Sequence, residues 1–338
     1  MTFDVPPELR ERFRFTQGQF LTLRVNLDGE EVRRSYSICS ARDDEPLRVA
    51  IKRVTDGRFS AWAHRTLVPG ATVDVAPPEG RFHVPLAAGN ARHYLGIAAG
   101  SGITPLLSTI KTTLAVEPQS RFTLVYANRS SSSVMFRDEL QDLKDRYLGR
   151  FALLFVMSRE PQDIDVFHGR IDEAKCDALF DAWIDLDTVH VAFVCGPEDM
   201  TKAVTASLSA HGLDKEQIKT ELFAAAPRGV ARVRTVADEP NVTACEAFAL
   251  LDGRQQTFTI ERGETVLDAG LRQHLDLPYS CKGGVCSTCR VALVEGEVDM
   301  DVHYALEDYE IARGFILMCQ SYPVTSTIGI DVDSHVHG

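Results

Sequence analysis

The sequence predicts a multidomain protein that combines an antiparallel β-barrel, a doubly wound α/β domain with a parallel sheet, and a third, C-terminal domain. Three observations support this prediction. The chain has 338 residues, which is too many for one ordinary hydrophobic core. Short β-rich runs fill its N-terminal part, and apolar strands alternate with amphipathic helices in the middle. We therefore expect domains at 1–90, 91–227 and 243–338, joined by a linker at 228–242.

The barrel prediction rests on short β-rich runs that are separated by Asp-Gly and Pro-Gly turns. These runs cover 19–27, 32–39, 47–54 and 72–75. A single helix is predicted over 58–67, directly after Asp56 and Gly57. One helix inside a barrel requires a reason, and ligand binding at its N-terminus would supply one.

The middle of the chain predicts a parallel sheet covered by helices on both faces. The predicted strands are 94–99, 122–126, 151–157, 189–195 and 218–223. The predicted helices are 103–115, 134–147, 171–183 and 197–211.

Charge and hydropathy exclude several classes of protein. A formal net charge of −12 leaves no basic face for nucleic acid. Apolar runs fall short of the roughly 18 residues that a membrane span needs, and the sequence shows no export signal. We expect a cytoplasmic protein. Its eight cysteines then predict metal-binding, redox or ordinary buried residues rather than disulfides.

Four cysteines near the C-terminal end have the spacing of a plant-type 2Fe-2S cluster. The predicted ligands are Cys281, Cys286, Cys289 and Cys319, of which the first three form C-x4-C-x2-C. Gly283 and Gly284 allow the loop to wrap around the sulfurs without strain. The alternative is a zinc site or four unrelated buried cysteines. Zinc sites favour paired C-x2-C modules, and this chain has only one short pair.

The run around residue 36 predicts a flavin site. Arg34, Tyr36 and Ser37 would present a cation, a planar ring and a hydroxyl on one face of a strand. Gly57 and Ser60 open the lone helix, where a pyrophosphate could bind. The alternative is an ordinary strand with an exposed charge.

Lys52, on the predicted strand 47–54, is a further candidate for cofactor binding. Tyr36, Ser37 and Cys195 are the candidate catalytic residues.

A glycine-containing turn after the first predicted parallel strand indicates a nucleotide site. Gly100 and Gly102 would let the chain approach a pyrophosphate, Thr104 would add a hydroxyl, and Pro105 suits a first helical turn. The third glycine of the dinucleotide fingerprint is absent.

Cys195, Gly196 and Pro197 end a later strand at the same edge of the sheet, where ligands bind in such folds. Cys195 would face a nicotinamide there, or it would be a small buried hydrophobe.

The charges near the ends of the second and third parallel strands favour NADPH over NADH. Arg129 and Arg159 could bind a 2′-phosphate, and no acidic residue follows the strand ending at Tyr126 to bind a ribose hydroxyl. The alternative is a pair of solvated surface arginines.

The order of these motifs resembles the ferredoxin-NADP reductase superfamily with a fused ferredoxin domain, over nearly the whole chain. The resemblance implies FAD on the barrel and an α+β fold, the ferredoxin-like β-grasp, for the C-terminal domain. Arg34 would hold the flavin pyrophosphate, Tyr36 would stack on the ring, Ser37 would bond near its reactive nitrogen, and Ser60 would contact the second phosphate. Glu221 and Phe223 look like the acidic and aromatic pair that approaches the flavin.

The resemblance further implies an electron path from NADPH through FAD and the cluster to a di-iron oxygenase. Reductases of Rieske dioxygenases or of other multicomponent monooxygenases share these modules and stay open as alternatives. A non-enzymatic redox sensor or zinc-scaffold protein is an alternative from another class. Chains of this kind normally carry one more barrel strand before the segment matching Thr2 to Val5, so we expect an unpaired barrel edge here.

Overall fold

The computed structural model describes residues 1–43, 46–223 and 244–334, which fall into two compact units that divide after Phe223. The expected linker at 228–242 lies outside the described residues. Every helix within the described ranges is too short or too polar to cross a membrane.

The first unit begins with an antiparallel sheet. Strands β1 (Phe20–Leu27) and β2 (Glu30–Ser37) form a hairpin, and the short β3 (Asp74–Val75) pairs with the other side of β1. Helix α1 (Arg58–Thr66) confirms the lone helix of the prediction. The sheet order is β2-β1-β3, so β2 is an edge strand.

The predicted strand over 47–54 is wrong. Only Arg48 and Val49 pair there, through isolated bridges to Thr2 and Ile38. Lys52 and the two residues after it are exposed, so no buried face continues the strand. The antiparallel sheet is confirmed, whereas no continuous ladder closes it into a barrel among the described residues.

The second part of this unit is a five-stranded parallel sheet of order β6-β5-β4-β7-β8, which confirms the doubly wound prediction. Its strands are β4 (His93–Ala99), β5 (Arg121–Asn128), β6 (Phe151–Met157), β7 (Val191–Cys195) and β8 (Ile218–Glu221). Its helices are α2 (Ile103–Val116), α3 (Arg137–Arg146), α4 (Glu173–Ala182) and α5 (Glu198–Ala210).

Side chains alternate between the two faces of this sheet. Tyr94 and Phe122 pack with α2 and α3 on one face, and Leu95 and Val125 pack with α4 and α5 on the other. In the strand order, β5 and β7 lie on opposite sides of β4, so a ligand crevice is expected between the carboxyl ends of β4 and β7. Helix α3 begins three residues later than predicted because Phe136, its N-cap, has left-handed backbone angles.

An ion-pair network connects the two parts of the first unit. Arg48 pairs with Glu139 of α3, which also pairs with the buried Lys111 of α2. Arg48 lies next to Val49, which bridges Ile38 directly after β2, so this network connects the end of β2 to the helices of the parallel sheet.

The second unit is a mixed sheet of order β10-β9-β15-β11-β13 with a short two-stranded sheet, β12 and β14. Its strands are β9 (Ala244–Leu251), β10 (Arg254–Glu261), β11 (Arg290–Glu295), β12 (Val298–Met300), β13 (Phe315–Leu317), β14 (Ser321–Pro323) and β15 (Thr327–Asp331). Strands β9 and β15 run parallel and the other pairs antiparallel. Helices α6 (Val266–Arg272) and α7 (Asp308–Ala312) complete the predicted β-grasp.

Candidate functional site

The glycine turn after β4 packs directly on the end of β7. A Cβ atom at residue 102 would lie 2.1 Å from the carbonyl oxygen of Cys195, so only glycine fits. Gly100 has φ +54°, and a Cβ there would meet only the Lys52 ammonium nitrogen, at 3.7 Å. Gly102 therefore serves close packing, while Gly100 and Lys52 border an open cradle that fits a phosphate.

Two predicted nucleotide ligands lie behind this turn. The Thr104 hydroxyl donates to the Ser101 carbonyl over 3.0 Å, and Thr104 and Pro105 are both buried in the first turn of α2. They shape the turn rather than face its open side. Sequence reasoning missed Tyr126, whose hydroxyl donates to the Gly100 carbonyl over 2.8 Å. No local motif marks this tyrosine, because the contact joins neighbouring strands.

A second cluster joins the antiparallel sheet to the parallel one. The Ser37 hydroxyl, at the end of β2, donates to Glu221 Oε2 over 3.2 Å. Glu221 pairs in register with Cys195 on β7. The structure thus brings together three predicted residues that are far apart in the chain. Phe223, two residues beyond Glu221, is 42% exposed.

Burial controls the protonation of this cluster. It raises the pKa of Glu221 to about 8, and the hydrogen bond from Ser37 offsets only part of this effect. Burial, with the charge of Glu221, raises the pKa of Cys195 well above its ordinary value. Cys195 is therefore a neutral thiol rather than a nucleophile. Gly196 beside it packs so closely on Met200 that a Cβ would clash at 2.4 Å, and Pro197 is the N-cap of α5.

The expected single face on β2 needs correction. Arg34 and Tyr36 are two residues apart and share a face, but Ser37 is offset by one residue and points to the other face, toward Glu221. Arg34 is exposed at the edge strand. The Tyr36 ring packs against Phe59, with ring centroids 5.6 Å apart, and burial raises the pKa of Tyr36 to about 12.

The N-terminus of α1 differs from the expectation in one respect. The Ser60 hydroxyl accepts the Val54 N–H and donates to the Gly57 carbonyl, both over 3.2 Å, and Ser60 is buried. Its hydroxyl closes the turn. Gly57, the N-cap, has no side chain to cover the first backbone N–H groups of the helix, so these groups fit an anion.

Arg129 and Arg159 follow the ends of the neighbouring strands β5 and β6. The Arg159 N–H donates to the Arg129 carbonyl over 2.8 Å, and both residues are exposed. The nearby Glu160 carboxylate accepts two hydrogen bonds from Ser131 and forms no ion pair with either arginine. Within the described residues, both guanidinium groups are available to an anion.

The four predicted cluster cysteines lie together in the second unit as two pairs. Hydrogen bonds join the thiols of Cys281 and Cys286, and those of Cys289 and Cys319. Each iron of a two-iron cluster takes two thiolates, so this pairing fits the group. Across the part of the chain that the structure describes, no group of His, Cys, Asp or Glu side chains surrounds a single metal ion.

Donors near the sulfurs strengthen this fit. The Gly283 N–H lies 3.3 Å from Cys281 Sγ, and the Gln320 amide lies 3.5 Å from Cys319 Sγ. The hydrogen bond between Cys281 and Cys286 lowers the pKa of Cys281 to about 6 and raises the pKa of Cys286 well above its ordinary value, so this pair favours one thiolate, the form that a metal requires. Gln320 was missed, although its position directly after a predicted ligand was a signal.

Three family models match the chain. An oxidoreductase FAD-binding domain matches residues 1–84, an oxidoreductase NAD-binding domain matches 97–206, and a 2Fe-2S iron-sulfur cluster binding domain matches 249–324. The two compact units thus carry sequence features for FAD, a pyridine nucleotide and a 2Fe-2S cluster.

Curated relatives match along nearly their whole length. The chain is 44% identical over 336 residues to a 1,2-phenylacetyl-CoA epoxidase subunit of Escherichia coli K12, covering 99% of this chain and 93% of that protein. It is 33% identical to the ferredoxin reductase component of 3-ketosteroid-9-alpha-monooxygenase from Rhodococcus rhodochrous, covering 98% and 92%.

A solved structure of phthalate dioxygenase reductase, described as a modular structure for electron transfer from pyridine nucleotides to [2Fe-2S], shares the fold. Its TM-score is 0.55 at 24% identity, covering 94% of this chain and 88% of that one.

Proposed function

The chain belongs to the ferredoxin-NADP reductase superfamily, among members with a C-terminal 2Fe-2S domain, and on this premise we propose that it is the NADPH-dependent reductase of a di-iron oxygenase. It is an oxidoreductase that uses FAD, a pyridine nucleotide and a 2Fe-2S cluster, and it serves an oxygenase component. The proposed partner is phenylacetyl-CoA 1,2-epoxidase, which would place the chain in aerobic phenylacetate degradation. The 44% identity over 99% of the chain supports this partner.

The chain contributes positioning and electrostatics to this activity. When bound, FAD converts the two electrons of a hydride into single electrons, which an iron-sulfur cluster accepts one at a time. Cys195 would present an uncharged sulfur to the nicotinamide at the carboxyl edge of β7. The Ser37–Glu221 pair would hold or release a proton at Glu221 Oε2, since the pKa of Glu221 lies at about 8.

The two pyrophosphate groups would bind at two places. Arg34 and the uncapped N-terminus of α1 would hold the flavin pyrophosphate, with Tyr36 against the ring. Gly100 and Lys52 would border the nucleotide pyrophosphate. Ser60 would act through the turn that it closes rather than by direct contact.

Arg129 and Arg159 support the choice of NADPH. Two exposed guanidinium groups on adjacent strand ends match the two charges of a 2′-phosphate.

The partner would take electrons at the loop over 282–285. Among the four cluster cysteines, Cys281 is partly exposed and the other three are buried. The loop over 282–285 directly follows Cys281. A cytoplasmic location is part of the proposal, because the cysteine usage suits a reducing compartment.

A second candidate function is reduction of a Rieske dioxygenase or of another multicomponent monooxygenase. The likeness to the ketosteroid monooxygenase reductase component favours it.

Reconstitution distinguishes the two candidates. The purified holoprotein is mixed with NADPH and either a di-iron phenylacetyl-CoA epoxidase component or a Rieske oxygenase component, each with its own substrate. We expect NADPH oxidation coupled to product only with the epoxidase component. Product formation with the Rieske component alone would replace the proposal by the second candidate.

A further inference from the structure

A buried ion pair lies immediately beside the cluster loop. Arg290 directly follows Cys289 and begins β11, and its Nη1 pairs with Glu310 Oε1 of α7. The exposed fraction is 8% for Arg290 and 1% for Glu310. Arginine and glutamate are seldom buried this deeply unless they are paired.

The surroundings of both charges are well defined. The guanidinium carbon lies 4.7 Å from the centroid of the Phe315 ring on β13. The second carboxylate oxygen of Glu310 accepts the Glu307 N–H over 2.9 Å, which closes the capping box of α7. The pair therefore joins β11, β13 and α7.

The same strands carry two of the four cysteines. Arg290 pairs in register with Leu317 at the end of β13, two residues before Cys319. The Met318 N–H donates to the Cys289 carbonyl over 3.1 Å. The ion pair is thus attached to the segments that present Cys289 and Cys319, the second thiol pair.

Stability alone is a weak reason for such a pair, because well-packed apolar side chains often stabilise a protein equally well. We propose that Arg290 and Glu310 are positioning residues with opposite and compensating electrostatic effects on the cluster, so that the loss of either charge alone shifts its reduction potential. This inference rests on the cluster site and not on which oxygenase accepts the electrons.

The expected directions follow from Coulomb's law. Reduction adds negative charge to the cluster, which a nearby cation favours and a nearby anion opposes. Consecutive Cα atoms are about 3.8 Å apart, so the Arg290 guanidinium lies on the order of 10 Å from the Cys289 backbone. At that distance in a protein interior, one unit charge changes the ratio of reduced to oxidised protein about tenfold at a fixed ambient potential.

The test is a redox titration of the holoprotein, followed by electron paramagnetic resonance of the cluster. Arg290→Met should lower the midpoint potential and leave about tenfold less reduced protein at a fixed ambient potential. Glu310→Gln should raise the midpoint potential and give about tenfold more reduced protein at the same ambient potential. Arg290→Lys, which retains the charge, and the double variant Arg290→Met/Glu310→Gln should stay close to the parent. Arg313→Met, at an exposed arginine beyond the end of α7, is the matched control and should cause no shift.

Shifts of the two single variants in the same direction, or no shift in either, would overturn the proposal and leave a purely structural role. Iron and sulfide content is measured in parallel. If Arg290→Met loses the cluster, Glu310→Gln decides alone, since an unchanged or lower potential in that variant contradicts the proposed sign.

Discussion

At the scale of single residues, the contact between Ser37 and Glu221 joins positions 184 residues apart over 3.2 Å. The Glu221 carboxylate lies at the boundary between the antiparallel and parallel sheets, where burial raises its pKa from the ordinary 4.5 to about 8. The folded protein therefore retains a proton between these pH values that the unfolded chain has released.

This proton predicts a pH dependence of stability. The folded state binds more protons than the unfolded state between pH 4.5 and 8, so the free energy of unfolding contributed by Glu221 falls as the pH rises through this window. Glu221→Gln removes this slope, and urea unfolding at several pH values measures it. Glu216→Gln, at an exposed glutamate, is the control and should keep the parent slope. Equal slopes in the parent and Glu221→Gln would refute the assignment.

The arginine pair at the ends of β5 and β6 predicts the cofactor preference. Arg159→Ala should lower kcat/KM for NADPH about 10- to 100-fold, because one or two charge-assisted hydrogen bonds to the 2′-phosphate are lost, and should leave NADH oxidation unchanged. Arg146→Ala, at an exposed arginine at the C-terminal end of α3, is the control for a general loss of charge. Equal losses with both cofactors would rule out a 2′-phosphate contact.

At the scale of elements, the turn between β4 and α2 depends on its approach to β7. Gly102→Ala would bring a Cβ to 2.1 Å from the Cys195 carbonyl oxygen, so the turn must shift. We expect the free energy of unfolding to fall by about 1–3 kcal/mol, together with weaker binding of the pyridine nucleotide. Urea unfolding and a nucleotide titration measure the two effects.

Gly149→Ala is the matched control, since a Cβ there meets nothing within 4 Å. It should change stability by no more than about 0.5 kcal/mol. If Gly102→Ala behaves like this control, close packing is not the reason for glycine in the turn.

At the scale of the whole molecule, the order of electron transfer can be tested at one cysteine. Cys289→Ser removes a predicted cluster ligand, which lies outside the Met1–Phe223 unit. NADPH-dependent reduction of ferricyanide, which accepts electrons from flavin, should persist, while transfer to a one-electron protein acceptor should stop. Activities measured with both acceptors check this, and two unchanged activities would contradict the relay.

Much of the architecture was predictable from local patterns. Apolar strands alternating with amphipathic helices predicted the parallel sheet to within a few residues, and the C-x4-C-x2-C spacing predicted the 2Fe-2S domain that a family model confirms. The predicted strand at 47–54 was wrong. Its apolar residues have the pattern of a strand, but no partner strand continues the ladder there. Pairing depends on residues far along the chain, which a short window does not contain.

The sequence by itself determined the cysteines suited to the cluster, because residue type and spacing within a short segment limit that chemistry. The order of its motifs, through the family resemblance, implied FAD and a pyridine nucleotide as well. Only the tertiary structure decided which side chains act together. It turned Ser37 toward Glu221, placed Thr104 and Ser60 in turns, divided the cysteines into two thiol pairs, and buried Arg290 against Glu310. The Ser37–Glu221 and Arg290–Glu310 contacts join separate segments of the chain, and their geometry follows from strand register and packing rather than from any local pattern.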